Sequence, residues 1–441
     1  MNSPVPTYDA VSAPIAPRPP AGLRSFAARA RNAQDGRVAA TLVATQVMVA
    51  GVAMITNVAA ARAMGPSGRG GLAFLLQLAY LGGTLGLLGL EKPYVAAHRL
   101  TFPRAVRDVM YVLRPLPLAA LVSVLALLAV SGVARSYPVL TAGACGGVLL
   151  STAAGRVLRT AYIASSQPRT FATQTFLMQI LLLGGAITLA LSSVHRPGYW
   201  LAMYAAAGVP TLAVTGFLAV RRGHAPLVAD EAKRLRRFGR HLIPSSLGNT
   251  AMLRSDRLLL PLLSSTKELG LYVVVATVME LAAWPVQNYV DAVLWKWRGS
   301  VDAGVLGIRK TMYRSLGLTV VVACALGLGA YLMIKIVLGH RYAGAVSLIA
   351  PLGVAAVAYA GSRVLQGALI AHGRGAAASS CEVAGSVLSV IAYACLIPSF
   401  GAMGAAVGSI VGYAGCSLVT YRVLRATERT GRHRREAASR W

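Results

Sequence analysis

The feature that most constrains this chain is a series of about twelve apolar stretches between residues 38 and 424, separated by short linkers. Each stretch is roughly 20 residues long, which is the length that an α-helix needs to cross a bilayer. The pattern predicts an all-α polytopic membrane protein, because only helices and closed barrels satisfy their backbone groups inside lipid. The predicted spans are 38–60, 72–96, 112–134, 139–164, 171–192, 198–220, 241–263, 269–295, 313–338, 344–371, 377–398 and 402–424.

The composition excludes a soluble enzyme. Hydrophobic residues make up 56% of the chain and charged residues only 13%, whereas a soluble domain carries about 25% charged residues. The sequence contains no Walker A loop, no HExxH and no GxSxG, and its five cysteines show no metal-ligand spacing. We therefore expect a protein that is not an enzyme, with no cofactor and no bound metal.

The positive charges predict the orientation in the membrane. Arg and Lys gather in every second linker and in both tails, as the positive-inside rule describes for cytoplasmic segments. We expect a multi-pass protein of the cytoplasmic (inner) membrane with both termini in the cytoplasm. The formal net charge of +29 then lies beside the membrane, where anionic lipid headgroups are the expected partner and nucleic acid is not.

The longest hydrophilic interruption divides the chain into two halves of six predicted spans. A short repeated pattern supports a duplication. Gly71 and Gly270 are each followed by leucine, and Asn57 and Asp256 are separated by the same number of residues as these two glycines. An even number of spans places the two halves in parallel, as in many transporters. The predicted organisation is a disordered basic cytoplasmic tail at 1–37, an N-terminal six-helix bundle at 38–220, a cytoplasmic basic linker at 221–240, a C-terminal six-helix bundle at 241–424 and a basic cytoplasmic tail at 425–441.

The seventh span is the least membrane-like, because Arg254, Asp256 and Arg257 interrupt it. At about 100° per residue its polar positions share one half of the helix. Charge at membrane depth is costly and normally faces a bundle interior or an aqueous path, so a water-filled cavity is expected. Two arginines against one aspartate favour an anionic cargo. The alternative is that the charges merely neutralise each other and fix helix packing.

Other charged residues lie in neighbouring spans. Glu280 and Arg363 are deep, whereas Glu382 lies near a span end and is expected to reach the interface. A carboxylate in a low-dielectric cavity can exchange a proton as its surroundings change. The candidates for coupling to a proton or sodium ion are Asp256, Glu280 and Asp291.

Four segments carry a family resemblance. Residues 61–70, ARAMGPSGRG, resemble the A-R-x-L-G-P-x-G-R-G signature of polysaccharide-type flippases, with methionine at the usual leucine. The DRLLL of 256–260 and the ELGLY of 268–272 are similar to the second-half pattern of the same family, and the FGAMGAA of 400–406 is similar to its closing motif. These are the Wzx-like members of the multidrug/oligosaccharidyl-lipid/polysaccharide exporter superfamily.

The resemblance implies two six-helix bundles in a V around a central cationic cavity. It also implies a function, the translocation of a polyprenyl-diphosphate-linked oligosaccharide from the cytoplasmic to the outer leaflet for cell-surface polysaccharide assembly, coupled to an ion gradient. A polysaccharide polymerase and other envelope assembly proteins would be partners. The residues expected to bind phosphate and sugar are Arg254, Arg257, Arg363, Asn57, Asn249, Asn288 and Gln46.

Two other functions remain open at this point. An ion-coupled exporter of drugs or small molecules belongs to the same superfamily, but acidic cavity residues would be expected for cationic drugs and the span 38–60 has none. A non-transporting scaffold of the cell envelope would need no charged cavity, and the seventh span argues against it.

Overall fold

The computed structural model describes residues 21–85, 106, 138–164, 168–220, 247–287, 289–290 and 305–438. Within these ranges the chain is helical, apart from short turns, and contains no strand. The predicted all-α class is confirmed.

The described helices of the N-terminal half begin with one long kinked element. The first helix breaks at Gly65, which has a φ of 68° that glycine adopts without penalty, and the following Pro66 has no N–H to continue the ladder. The kink separates the first two predicted spans. The helices are α1 (Ala21–Leu85), α2 (Pro138–Ala164), α3 (Pro168–Leu191) and α4 (Pro197–Val220).

The C-terminal half has the same character. After α5 (247–263), α6 (Thr266–Glu280) continues through a 3₁₀ turn at Leu281–Ala283. The last helix is kinked at Gly401, where φ is 53°, three residues after Pro398. The remaining elements are α7 (Val305–Leu332), a π turn (Met333–Leu338), a 3₁₀ segment (His340–Leu348), α8 (Ile349–Ala371) and α9 (Gly375–Ala438).

The predicted spans can be compared with these helices. Eleven of the twelve fall wholly or in part on described helix, with the first two sharing α1 and the last two sharing α9; residues 86–96, 241–246, 288 and 291–295 of these spans lie outside the described residues. The third, 112–134, lies outside the described residues. Helix α1 already includes 21–37, which belong to the predicted N-terminal tail.

The outer surface of the bundle is apolar. Seven of the described helices are long and apolar enough to cross a membrane. Large hydrophobic side chains on α3, α7 and α9 remain exposed, as expected where the neighbour is lipid; they include Phe176, Leu177, Ile180, Leu318, Val321, Leu328, Val387 and Ile391. The chain is a multi-pass membrane protein.

The two halves meet where the second segment of α1 crosses α6. A Cβ atom added at Gly70 would overlap the carbonyl oxygen of Thr266, and one added at Gly270 would overlap that of Pro66. The backbones therefore touch directly, which only glycine permits. Beside the crossing, the Tyr342 hydroxyl donates a 3.1 Å hydrogen bond to the Ala61 carbonyl oxygen, which ties the kink of α1 to the C-terminal half.

At the same end of the bundle as this crossing, α6 is also in contact with the kink of α9. Ser265 caps α6 by accepting a 3.2 Å hydrogen bond from the Glu268 amide. The Glu268 carboxylate accepts a 3.0 Å bond from the Ala402 amide, directly after the kink at Gly401. Three of the segments that carry the family resemblance, 61–70, 268–272 and 400–406, are thus in contact and build one junction.

Candidate functional site

A cavity of about 210 Å³ lies inside the C-terminal half. Helices α5, α6, α8 and α9 form its wall, and polar and aromatic side chains alternate with small apolar ones. Its lining residues are Asn249, Leu253, Arg254, Asp256, Tyr272, Ala276, Met279, Glu280, Ala283, Trp284, Gln287, Leu352, Ala356, Tyr359, Ser409 and Tyr413.

Helix α5 places its polar residues by periodicity. Asn249, Leu253 and Asp256 are spaced four and three residues apart, so they follow one stripe that faces the cavity. Leu260 continues that stripe one turn beyond Asp256, and Met252 lies at its edge; both are fully buried against neighbouring helices. Arg254 lies further round the predicted polar half of this helix and also lines the cavity, so Asn249, Arg254 and Asp256 reach it from that half.

The charges of the cavity are balanced between two helices. Arg254 of α5 lies 3.3 Å from the Glu280 carboxylate of α6, and Arg257 pairs with the same carboxylate. The side chains of Arg254 and Glu280 are 35% and 31% exposed, so both are accessible from the cavity. The excess of one arginine over Asp256 within α5 is balanced by Glu280, which lies more than 20 residues away in sequence.

Asp256 has a different environment from Glu280. It is buried, and its carboxylate accepts a 2.6 Å hydrogen bond from the Tyr272 hydroxyl and a 2.7 Å bond from the Arg257 amide. A chain of hydroxyls continues from Tyr272 through Ser409, at 3.4 Å, to Tyr393, at 3.0 Å. The carboxylate is therefore held in place by a hydrogen-bonded network that reaches from α5 to α9.

Aromatic residues form the opposite wall. The rings of Tyr359 and Tyr413 are 5.2 Å apart and tilted by 56°. The Tyr359 hydroxyl donates to the Asn249 side-chain oxygen at 3.4 Å, and Trp284 lines the cavity from α6. Aromatic faces beside amide and charged groups suit an amphipathic ligand, which has apolar faces and polar edges.

Arg363 lies outside the cavity lining. It pairs with Glu382 at 2.9 Å and donates to Gln366 at 2.7 Å. Its proposed role as a cavity cation is therefore not supported by its position. The expectation that Glu382 reaches the interface is wrong, because that side chain is buried between α8 and α9.

The remaining predicted site residues are placed as follows. Asn249 lines the cavity, whereas Asn57 is buried and accepts a 2.7 Å hydrogen bond from Arg69. Asn288, Asp291 and the side chain of Gln46 lie outside the described residues. Arg69 lies in the linker between the first two predicted spans, yet it is buried near the junction of the two halves. Its position within the ARAMGPSGRG motif was the available signal.

The overall architecture is also found in solved transporters. An inward-facing multidrug resistance MATE family transporter of the MOP superfamily matches 85% of this chain and 93% of its own, with 13% identity and a TM-score of 0.59. The outward-facing conformation of such a transporter matches with 12% identity and a TM-score of 0.56, covering 88% and 95% of the two chains. The lipid II flippase MurJ, in an inward closed conformation, matches with 11% identity and a TM-score of 0.61, covering 86% and 87%.

The chain has the fold of the MOP-superfamily transporters. At this level of identity the structures establish the fold alone. The sequence model of a family described as polysaccharide biosynthesis protein matches residues 148–347, which include α5, α6 and most of the cavity wall. The match agrees with the resemblance that the motifs indicated, and two of the segments that carry it, 256–260 and 268–272, lie within the matched residues. No curated protein sequence matches the chain.

Proposed function

We propose that this protein is a flippase that carries a polyprenyl-diphosphate-linked oligosaccharide from the cytoplasmic to the outer leaflet, coupled to an ion gradient. The observation that carries the proposal is the cavity of the C-terminal half, where Arg254 and Glu280 remain partly exposed within an otherwise apolar bundle. Charges at membrane depth are costly and usually mark a transport path.

In the empty cavity, the Glu280 carboxylate balances the positive charge of the arginines. A phosphate that enters would take hydrogen bonds from Arg254, the more exposed of the two arginines, while Arg257 keeps its contact with Glu280. One anion thus replaces another at the same guanidinium. This exchange avoids a bare buried charge at either stage.

The size of the cavity limits what it holds. Sites for whole drug-sized ligands span about 300–1,000 Å³, and this cavity of about 210 Å³ is smaller. It fits a part of a headgroup, a phosphate or one sugar ring, with Asn249 and Gln287 available for hydroxyls and Trp284 and Tyr359 for a ring face. The lipid tail would stay in the membrane.

The arrangement of the halves supports transport by alternating access. By the positive-inside prediction, the crossing of Gly70 and Gly270 is at the extracellular end, where the halves are in contact. The cavity extends along α6 from Tyr272 to Gln287, away from that end. We infer that this conformation faces the cytoplasm, with both termini on that side of the inner membrane.

Asp256 is our candidate for ion coupling. Its carboxylate contacts Tyr272 and the α5 backbone but is not in an ion pair of the cavity cluster with Glu280. It can therefore bind a proton or sodium ion without breaking the arginine pairs. The hydroxyl chain through Ser409 links this event to α9.

The test is mass spectrometry of polyprenyl-linked glycans with leaflet-selective labelling, in cells that lack the protein and in cells that regain it. We expect one glycolipid to accumulate on the cytoplasmic face without the protein and to be cleared by the intact chain but not by Arg254→Gln. Arg309→Gln, which removes an exposed arginine outside the cavity, is the matched control and should clear it fully. An unchanged glycolipid pool with altered drug sensitivity would instead favour the exporter.

A further inference from the structure

Three buried polar atoms, one of them at the junction of the two halves, have no hydrogen-bond partner within the described part of the chain. They are Nη1 of Arg69, Nε of Arg257 and Oγ1 of Thr56. The three residues are 7%, 9% and 1% exposed. Two of the atoms belong to guanidinium groups, which donate hydrogen bonds and never accept them. The missing partner must therefore be an acceptor.

Arg69, directly before Gly70, is the member of this group at the junction. Its Nε donates to Asn57, the residue after Thr56, at 2.7 Å, which fixes the guanidinium and leaves Nη1 free. In the described part of the chain no carboxylate pairs with it, and the positive charge of Arg257 acts on it unfavourably. A buried cation without a counter-charge is strongly destabilising.

The balance of charge points in the same direction. Arg254 and Arg257 are matched by Asp256 and Glu280, so the positive charge of Arg69 is the uncompensated one in this group of described residues. One bound anion would neutralise the group. Phosphate oxygens would also supply several acceptors for the free donors.

We propose that Arg69, with Thr56 and the Nε of Arg257, forms a second phosphate-binding site, separate from the cavity and next to the α1–α6 crossing. This proposal rests on the proposed flippase function for its ligand, the diphosphate of the lipid-linked glycan. Neither Arg69 nor Arg257 lines the cavity, yet Arg257 also contacts Glu280 on the cavity wall. Arg257 therefore connects the two sites, and a phosphate released by Arg254 meets Arg69 next when the halves separate at Gly70 and Gly270.

The test measures binding, so it does not depend on transport. The purified full-length protein is titrated with sodium pyrophosphate at constant ionic strength, and the dissociation constant is obtained from the rise in melting temperature. We expect Arg69→Gln to weaken pyrophosphate binding at least about tenfold, the value of one hydrogen bond to a charged group. Arg62→Gln, which removes an exposed arginine of the same helix, should bind as the unmodified chain does.

Two further variants separate binding from a structural role. Asn57→Ala breaks the contact that fixes Arg69 but keeps its charge, and Thr56→Val removes only a hydroxyl. Binding that survives Asn57→Ala, is lost in Arg69→Gln and is weakened in Thr56→Val supports the site. Equal loss in Arg69→Gln and Asn57→Ala would assign Arg69 to structure, and equal binding in Arg69→Gln and the unmodified chain would also overturn the proposal.

The source of the phosphate is distinguished by a second ligand. Vesicles with and without a polyprenyl diphosphate are compared at the same total lipid, and displacement of bound pyrophosphate by the lipid supports a headgroup site. Pyrophosphate binding that the lipid does not displace would overturn the assignment to the headgroup. Flipping that persists undiminished in Arg69→Gln contradicts the second site and leaves the flippase intact, whereas binding at Arg69 without any flipping contradicts only the flippase.

Discussion

Two intramembrane ion pairs of the C-terminal half look alike in sequence and differ in structure. Arg254 and Glu280 are each about a third exposed and line a cavity. Arg363 and Glu382 are 24% and 8% exposed, and Arg363 has Gln366 as an additional partner. In the proposed function, Arg254 of the first pair exchanges Glu280 for a ligand that enters the cavity. Arg363 of the second pair lies outside the cavity lining and keeps both of its partners. A charge at membrane depth therefore indicates function only when open space adjoins it.

The largest expected effect is on the folding free energy and concerns the pair of Arg363 and Glu382. Glu382→Ala leaves Arg363 without its carboxylate, and breaking a buried pair in this way costs about 3–5 kcal/mol of folding free energy. Thermal unfolding of the purified protein measures this loss. The double variant Arg363→Met, Glu382→Leu should recover most of it, and a double variant as unstable as the single one would mean that the pair is not the cause.

The next effect concerns the contact between Tyr272 and Asp256. Tyr272→Phe removes the hydroxyl that donates to the buried carboxylate, and we expect a loss of about 1.5–3 kcal/mol. Tyr413→Phe is the control. Tyr413 lines the same cavity, and its hydroxyl makes no hydrogen bond to any residue that the structure describes. Similar melting temperatures for the two variants would contradict the importance of this bond.

Glu280→Gln should have a small effect on stability and a large effect on flipping. Because Arg254 and Glu280 are partly exposed, we expect a loss of about 1 kcal/mol or less in stability. Glycolipid flipping should nevertheless be strongly reduced, since the neutral side chain no longer balances Arg254 and Arg257. Leaflet-selective labelling and thermal unfolding are measured on the same preparation. A destabilisation as large as that of Glu382→Ala would make the cavity pair a structural one.

The smallest effect is expected at the aromatic wall. Tyr359→Phe removes a hydrogen bond of 3.4 Å to Asn249, which is long, so stability should change by less than about 0.5 kcal/mol. The ring face that we assign to the sugar remains, and flipping should stay near its normal rate. A severe loss of flipping would show that the hydroxyl, and not the ring, contacts the cargo.

The sequence was sufficient for the helices and for part of the site. Length and hydropathy located the spans, and the helical period placed Asn249 and Asp256 on one stripe of α5. The ion-pair partners of Arg254 and Arg257 could not be predicted from the sequence, because Glu280 reaches both arginines from another helix. Arg69 was missed for the same physical reason, since only the packing of α1 against α6 turns a linker residue into a buried cation.

The crossing of α1 and α6 has a consequence for the speed of the proposed transport cycle. Gly70 and Gly270 bring two backbones together without any side chain between them. Glycine has no rotamers to lose, so forming or breaking this contact carries no side-chain entropy term. In the proposed cycle this contact can therefore close tightly and still open over a low kinetic barrier, whereas an interdigitated contact would have to withdraw every side chain before the cargo could leave.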